Sequence, residues 1–295
     1  MSVGLFSSYV TTWGIDPLVQ VQDMINHSVI KPGSRVILAF ASFNFTSTSF
    51  IPGFGSMTMD KTRQVVDLVH SVGGKISLSV GGATYPFAGS DLYNSPGDLA
   101  LNINVVLSSC GFDGVDFDIE DYYGSVPDNF ATQAASLINT LRALNATLYI
   151  TLTTASQAWA VGCYQQNLIN MTIGNLNAWQ PMEYDIWVAD GSTYESQVEW
   201  DISYYTTTWG VSPNKIVLGL MPGNDDMSRN LTLQDALNLT SYTMASGLQG
   251  VMIWDANNDG LGVDGNAAYA YSLGIQSTLS RNKNFRVHGV KRRRL

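Results

Sequence analysis

Short apolar runs alternate with amphipathic helical stretches eight times along this chain. The predicted strands are eight segments: 3–9, 35–43, 75–80, 113–120, 147–153, 181–188, 215–221 and 250–254. Strands separated by helices pair in parallel, because each helix returns the chain to the same end of the sheet. Eight such units in a chain of 295 residues fit a closed barrel, which typically takes about 250 residues. The pattern therefore predicts an α/β fold, a single (β/α)8 TIM barrel.

An open, doubly wound sheet is the main alternative fold, and it differs from the barrel after the first strand. The open sheet usually carries a glycine-rich, phosphate-binding turn at that point. Here the strand runs into Ser7-Ser8-Tyr9-Val10-Thr11-Thr12, which contains no glycine. Helix starts are predicted at Asp16-Pro17, Asp60 and Asp128, because an Asp side chain accepts hydrogen bonds from the first N–H groups of a helix. These features favour the barrel.

The composition indicates a large core and no membrane partner. Hydrophobic residues make up 45% of the chain and charged residues 13%, which argues against disorder over most of its length. No apolar run reaches the ~20 residues that a membrane-spanning helix needs. Ser2-Val3-Gly4-Leu5-Phe6 is predicted to begin a strand and has no basic region before it, so it is not a signal peptide. A mature, secreted form is the expected localisation.

The charge is strongly uneven along the chain. Seven of the 15 Lys and Arg residues follow residue 280, so residues 1–280 hold 8 basic and 24 acidic residues, a net charge of −16. So acidic a body argues against nucleic acid as a substrate. The run Lys291-Arg292-Arg293-Arg294 has the composition of a localisation or nucleic-acid patch, although a disordered terminus explains it more simply. We predict a catalytic domain over 1–280 and a disordered basic tail over 281–295.

One predicted strand, 113–120, reads DGVDFDIE and carries a row of acids. Because side chains alternate along a strand, Asp116, Asp118 and Glu120 share one face, and apolar residues occupy the other. Burying three charges is unfavourable, which makes the row a candidate site. Neighbouring carboxylates cannot all ionise easily, so we predict that Asp116 and Asp118 share a proton and that Glu120 stays partly protonated near neutral pH.

A metal site is the alternative interpretation of such acids. Carboxylates bind Mg²⁺ and Ca²⁺, but ligands spread along one strand do not converge on one ion. The run 255–260 also has the D-x-N-x-D-G spacing of a calcium loop, with Asn266 where the bidentate Glu belongs. We expect a polar turn there and no metal, since the three histidines are scattered as well.

The stretch 113–120 matches the DGxDxDxE signature of glycoside hydrolase family 18, the chitinase family. Ser79-Val80-Gly81-Gly82 resembles the family's SxGG at the end of strand three, and Met182-Glu183-Tyr184-Asp185 resembles its MxYD on strand six. Trp254 stands where the family has a tryptophan under the scissile sugar. The resemblance covers nearly the whole chain.

This resemblance implies substrate-assisted hydrolysis of chitin or chito-oligosaccharides, with no cofactor. The substrate's own 2-acetamido group serves as nucleophile and forms an oxazolinium ion. Glu120 would be the general acid and base, Asp118 would hold the amide N–H, and Tyr184 would bind the carbonyl oxygen. The implied catalytic residues are Glu120, Asp118, Asp116 and Tyr184. The implied substrate-binding residues are Trp254, Met182, Asp185, Gly81, Gly82 and Ser79.

The chain also departs from the family pattern. Many members carry a Tyr-Tyr pair in strand one, where this chain has Leu5-Phe6, with Tyr9 as a candidate substitute. Some members insert an α+β domain after strand seven, but the segment 221–232 is too short for one. A shallow, open groove and endo-type cleavage follow. Trp13, Trp159, Trp187 and Trp209 are candidates for further sugar stacking.

Two other functions fit the same motifs. An endo-β-N-acetylglucosaminidase acting on N-glycans shares the fold and the acids, whereas a chitin-binding lectin on this scaffold usually lacks the acid that Glu120 supplies. We expect a monomer. Six sequons fit a secreted glycoprotein and begin at Asn26, Asn44, Asn145, Asn170, Asn230 and Asn238. In an oxidising compartment Cys110 and Cys163 could form one disulfide bond.

Overall fold

The computed structural model describes residues 4–46, 50–121, 126–155, 157, 159, 163–227 and 229–287. The barrel strands are β1 (Leu5–Thr11), β2 (Ser34–Ala41), β3 (Lys75–Gly81), β4 (Gly114–Ile119), β5 (Tyr149–Thr154), β6 (Ala178–Pro181), β7 (Val217–Leu220) and β10 (Gly250–Ile253). Strands β8 (Gly223–Asn224) and β9 (Asn230–Leu231) form an antiparallel hairpin. The helices are α1 (Pro17–Asn26), α2 (Met59–Ser71), α3 (Pro96–Cys110), α4 (Phe130–Leu144), α5 (Cys163–Thr172), α6 (Tyr194–Thr207), α7 (Leu233–Ala245), α8 (Ala256–Gly260) and α9 (Ala270–Val287).

The eight barrel strands are parallel and lie in the order β6-β5-β4-β3-β2-β1-β10-β7. Two parallel bridges, Trp179 with Ile216 and Met182 with Gly219, join β6 to β7 and close the sheet. The predicted (β/α)8 barrel is therefore confirmed. The connection between β7 and α7 holds only the short hairpin, as expected for a barrel without the α+β insertion.

Alternation along β4 separates two environments. Val115, Phe117 and Ile119 belong to the large apolar core that includes residues of the surrounding helices. Asp116 lies on the other face and hydrogen bonds side chains from several other barrel strands. The predicted split between an apolar face and an acidic face is confirmed.

The sixth strand was predicted in the wrong place. It spans Ala178–Pro181 and shares only Pro181 with the predicted range 181–188, which the apolar run Ile186-Trp187-Val188 had suggested. The extended conformation is broken at Asp185, whose φ is +54°, a left-handed value that favours turns. Tyr184 and Asp185 therefore lie in the loop that follows β6.

Two of the three predicted helix caps are displaced. Asp16 caps α1 and accepts a hydrogen bond from the Leu18 amide at 3.0 Å, as predicted. Helix α2 is instead capped by Thr58, and Asn129 precedes α4 where Asp128 was expected. Both displaced acids were close to the true caps, and only local geometry decides between neighbouring polar residues.

The last helix extends into the range 281–295 that was predicted as a basic tail. Helix α9 continues to Val287, so the first residues of the predicted disordered tail are helical. The basic run at 291–294 lies outside the described residues. Within the described part of the chain, no helix is both long and apolar enough to cross a membrane.

The remaining sequence expectations concern a thiol and a turn. Cys110 is a buried, free thiol that lies 3.7 Å from the Met59 sulfur, while the side chain of its candidate partner, Cys163, lies outside the described residues. The predicted polar turn at 255–260 contains helix α8, capped by Asp255. No group of three or more potential ligands is arranged around a metal site among the described residues.

Asp113 joins β4 to β3 at the amino-terminal end of the barrel. Its carboxylate accepts hydrogen bonds from Lys75 at 2.8 Å, from His70 at 2.8 Å and from the Ile76 amide at 2.9 Å. Burial acts to raise the pKa of the Asp113 carboxyl, but these hydrogen bonds outweigh burial and lower it. These contacts give Asp113, the first acid of the motif, a structural role.

Asp113→Asn is expected to lower the free energy of unfolding by about 1–2 kcal/mol, since hydrogen bonds to a partly buried charged group are lost but water screens part of the effect. The native carboxyl has a lowered pKa, so its stabilisation is present above about pH 3.9 and is lost as the pH falls through the native value. Urea denaturation at neutral and acidic pH measures both effects. Asp60→Asn is the control, because Asp60 is 85% exposed in its pair with Arg63. Equal stability of the two variants at neutral pH would contradict this role.

Candidate active site

A cleft of about 530 Å³ opens at the carboxyl-terminal end of the barrel. Its lining comes from the ends of barrel strands and from the loops that follow them: Thr12, Trp13, Phe40, Gly53, Gly55, Ala83, Thr84, Tyr85, Asp118, Glu120, Met182, Tyr184, Asp185, Asp226 and Trp254. Six of the residues singled out from the sequence meet here: Asp118, Glu120, Met182, Tyr184, Asp185 and Trp254. Active sites of such barrels occupy this end, so the cleft is the candidate active site.

Asp116 lies below the cleft, fully buried inside the barrel. It accepts hydrogen bonds from side chains of four other strands: Tyr9 at 2.7 Å, Ser79 at 2.7 Å, Thr151 at 2.6 Å, Thr153 at 2.8 Å and Gln180 at 3.2 Å. A carboxylate offers about four acceptor positions, and these donors occupy them. The proton that Asp116 and Asp118 were predicted to share stays a prediction. Tyr9, the candidate substitute in strand one, does contact Asp116.

Asp118 lies one step higher and lines the cleft while remaining 3% exposed. Its Oδ1 atom is buried and has no hydrogen-bond partner among the described residues. Burial raises the pKa of Asp118 well above its usual value, and the nearby Glu120 and Asp116 raise it further. A buried, unpaired carboxyl oxygen at the wall of a cleft is an acceptor suited to a ligand N–H group.

Glu120 follows the last residue of β4 at the level where the cleft opens. Burial raises the pKa of Glu120 to about 7, the Ala83 amide opposes the rise, and Asp185 and Asp121 add to it. A carboxyl with this pKa holds its proton close to neutral pH and can serve as a general acid. The sequence suggested the protonated state but assigned it to a proton shared deeper in the row. Burial is the larger cause.

Tyr184 and Asp185 enter the cleft from the loop after β6. Burial raises the pKa of Tyr184 well above its usual value, and Asp118 and Glu120 raise it further, so its hydroxyl is available as a hydrogen-bond donor. Asp185 connects to the hairpin loop: its amide donates to Asp225 at 2.8 Å, and its carboxylate accepts from the Asp226 amide at 2.7 Å. Asp185 thus links two loops of the rim.

An aromatic surface forms another part of the cleft wall. The Trp254 ring stacks on Phe40 with centroids 5.4 Å apart and meets the edge of Tyr9 at 5.3 Å. Trp13 stacks on Phe40 with centroids 5.9 Å apart, lies 6.3 Å from the Trp254 ring and is 53% exposed. The peptide bonds that precede Phe40 and Asp255 are cis. Flat aromatic faces of this kind bind apolar faces of ligands such as sugar rings.

Phe40 and Tyr85 were not singled out as site residues from the sequence. Both line the cleft, and Phe40 is the penultimate residue of β2. Its place near the carboxyl-terminal end of a barrel strand was the available signal. Tyr85 lies in a loop, where the sequence offers no such indication.

Three predicted substrate-binding residues lie behind the lining instead of in it. Ser79 is fully buried and donates its hydrogen bond to Asp116. A Cβ atom at Gly81 would lie 2.0 Å from the Asp118 carbonyl oxygen, and one at Gly82 would lie 2.7 Å from the Phe40 ring. The SxGG stretch therefore supports the acid row and the aromatic wall, and contact with substrate is not its evident role.

Of the four further tryptophans considered for sugar stacking, only Trp13 lines this cleft. The Trp159 indole N–H donates to Asp201 at 2.8 Å. Trp209 packs against Trp179 and Tyr205. Trp187 is 56% exposed but is not part of the cleft lining.

Comparison with known proteins connects this geometry to a family. The family model described as Glycosyl hydrolases family 18 matches residues 6–227. No curated protein sequence matches the chain significantly. The structural similarities, by contrast, extend over more than nine-tenths of the chain.

Three solved structures illustrate this similarity. A GH18 chitinase from Pseudoalteromonas aurantia aligns with a TM-score of 0.72 at 20% identity, covering 92% of this chain and 99% of that one. Catalytic-site mutants of active domain 2 of a thermostable Pyrococcus furiosus chitinase, complexed with chito-oligosaccharides, align with a TM-score of 0.75 at 17% identity, covering 96% of each chain. A family GH18 chitinase from Cycas revoluta in complex with allosamidin aligns with a TM-score of 0.70 at 14% identity, covering 93% and 99%.

The structural similarity at such low identity establishes a shared fold. The family model adds the sequence evidence, because it spans well over half of the chain and includes the acid row. The chain belongs to glycosyl hydrolase family 18.

Proposed function

We propose that this protein is a retaining, endo-acting hydrolase of β-1,4-linked N-acetylglucosamine polymers. One observation carries the proposal: Glu120, whose pKa is raised by burial, lines one cleft together with an unpaired buried carboxyl oxygen of Asp118 and the hydroxyl of Tyr184. These are the groups that a substrate-assisted reaction needs. Structural neighbours described as complexes with chito-oligosaccharides support the substrate class.

In the first step Glu120 donates its proton to the glycosidic oxygen. The bond between that oxygen and the anomeric carbon breaks, while the carbonyl oxygen of the 2-acetamido group attacks the same carbon. Asp118 accepts the amide N–H and balances the positive charge of the oxazolinium ion, and Tyr184 donates to the acetamido oxygen. Because the nucleophile belongs to the substrate, correct placement replaces a bimolecular encounter.

In the second step water attacks the anomeric carbon and opens the oxazolinium ring. Glu120, now a carboxylate, accepts the proton of that water and returns to its starting state. Trp254 supports the sugar ring from below, while Met182 and Asp185 shape the wall around it. Two inversions at one carbon retain the configuration of the product.

Endo-action is supported by the form of the rim. The loop between β7 and α7 contributes only the β8–β9 hairpin, so no added domain encloses the cleft there. Trp13 extends the aromatic wall outward and is half-exposed. An open groove admits the middle of a long chain.

Glu120→Gln is expected to lower kcat by at least about a hundredfold, the usual contribution of a general acid, while chito-oligosaccharide binding persists. Reducing-sugar release measures activity, and isothermal titration calorimetry measures binding. Glu199→Gln is the matched control, because Glu199 is an exposed residue of α6 outside the cleft lining. Full activity of the Glu120 variant would overturn the assignment.

The pH profile of kcat/KM is expected to fall above about pH 7, as Glu120 loses its proton. Asp185 contributes to the raised pKa through its negative charge. Asp185→Asn removes that charge and should move the alkaline limb to lower pH, by up to about one pH unit. A profile that still rises at about pH 9 would contradict the proposed acid.

Substrate choice is tested with chitotetraose, colloidal chitin and a high-mannose glycoprotein. We expect hydrolysis of both chitin substrates, products that keep the β-configuration on first release by NMR, and internal cleavage of oligosaccharides of defined length. Release of glycan from the glycoprotein alone would favour an endo-β-N-acetylglucosaminidase. Binding without reducing-sugar release would favour a lectin.

A further inference from the structure

A second pair of carboxyl groups lies outside the cleft. Glu183 directly precedes Tyr184 in the loop after β6, and Asp201 lies in α6. Neither residue has exposed surface. The proposed mechanism uses neither side chain, so this buried pair requires its own explanation.

The two carboxyls differ sharply in their hydrogen bonds. Asp201 accepts from Trp159 at 2.8 Å, from Gln197 at 3.0 Å and from Gln157 at 3.4 Å. Neither carboxyl oxygen of Glu183 has a hydrogen bond of regular geometry among the described residues, and its side chain interacts with Asp201 and Tyr205. Donors favour the charged form of a carboxyl, so the anion belongs on Asp201.

The groups facing Glu183 include no cation among the described residues. Its titratable neighbours are one acid and three phenols: Asp201, Tyr194, Tyr205 and Tyr242. Burial raises the pKa of Glu183 well above its usual value, and Asp201 raises it further. Two buried carboxyls without a counter-ion do not both ionise readily.

We propose that Glu183 is a positioning residue: its carboxylic acid donates a hydrogen bond to the Asp201 carboxylate and fixes the main chain that carries Tyr184. This inference rests on the proposed function only for the role of Tyr184. The proton on Glu183 satisfies both buried acids with one bond. Ionisation of Glu183 would replace that bond with repulsion.

The main chain around Tyr184 is fixed by several contacts. The proposed hydrogen bond between Glu183 and Asp201 adds to them. The Glu183 amide donates to the Gly219 carbonyl at 3.0 Å in β7, and the Tyr194 hydroxyl donates to the Glu183 carbonyl. Gln157 accepts from the Trp187 amide at 3.0 Å and donates to its carbonyl at 2.7 Å. Gln157 also donates to Asp201. The proposed Glu183–Asp201 bond therefore belongs to one network of hydrogen bonds that fixes the loop after β6.

The chain offers a direct measurement, because it contains only four glutamates: Glu120, Glu183, Glu195 and Glu199. Protein labelled with ¹³C at the glutamate carboxyl gives one NMR signal for each, and Glu120→Gln and Glu183→Gln assign two of them. In a titration from about pH 4 to about pH 9, Glu183 is expected to stay protonated at about pH 6, well above the pH at which the exposed Glu199 ionises. A Glu183 signal that is already ionised at about pH 6 overturns the proposal. No substrate is needed, so failure of the proposed function leaves this result decisive.

Stability gives a second readout with a defined sign. A carboxyl whose native pKa is raised stabilises the fold fully below its unfolded pKa of about 4.3 and loses that stabilisation as the pH rises. The wild-type Tm should therefore fall relative to that of Glu183→Gln between about pH 5 and about pH 9. Glu199→Gln is the control and should follow the wild type. Parallel curves for wild type and Glu183→Gln would contradict the proposal.

The positioning role is separated from simple packing by two replacements. Glu183→Gln keeps a donor toward Asp201 and is expected to retain most activity at neutral pH. Glu183→Leu keeps the volume but removes the donor, and should lower kcat by about ten- to a hundredfold with little change in KM. Equal kcat values for the two variants would show that the hydrogen bond does not position Tyr184.

Discussion

The hydrogen bonds to Asp116 are the constraint on which the rest of the site depends. One carboxylate in the middle of the barrel collects donors from β1, β3, β5 and β6, so it unites the strands that surround β4. An unpaired charge at this depth would be strongly unfavourable. Satisfying it with neutral donors fixes both the strand register and the height of the acids above it. The site is thus held in place by the barrel interior as well as by the loops.

Because side chains alternate along a strand, the acids above Asp116 lie at successive heights along the barrel and differ in their surroundings. Asp116 and Asp118 lie on one face of β4, and Glu120 directly follows the strand. Along this row the acids pass from one with several hydrogen bonds, through one with an unpaired oxygen, to one that borders the opening. Each position differs in burial and in donors, so identical chemical groups acquire different proton affinities. In the proposed mechanism the general acid and the amide acceptor therefore come from neighbouring positions along one strand, and none of the described lining residues is basic.

The barrel and its acids were predictable because both rest on short-range periodicity. Eight strand–helix units define the closure, and alternation places the acids on one face. The end of β6 was not predictable, because Ile186-Trp187-Val188 is as apolar as a strand, and the turn at Asp185 depends on contacts with a distant hairpin. The place of Phe40 in the aromatic wall was missed for a related reason, since Phe40 and Trp254 meet only when the barrel closes. The cause of the raised pKa of Glu120 likewise lies in burial, which no local pattern encodes.

The acidic composition of the chain and the chemistry of the site are linked, because carboxyl groups without neighbouring cations have raised pKa values. Residues 1–280 hold 8 basic and 24 acidic residues, and none of the described residues that line the cleft is basic. Where carboxyls gather without cations, burial raises their pKa values, as at Asp118, Glu120 and Glu183. Protons then take the place that counter-ions hold elsewhere. For an enzyme whose proposed substrate is uncharged and must receive a proton, such an arrangement supplies the proton and leaves no fixed positive charge to compete with the oxazolinium ion for Asp118.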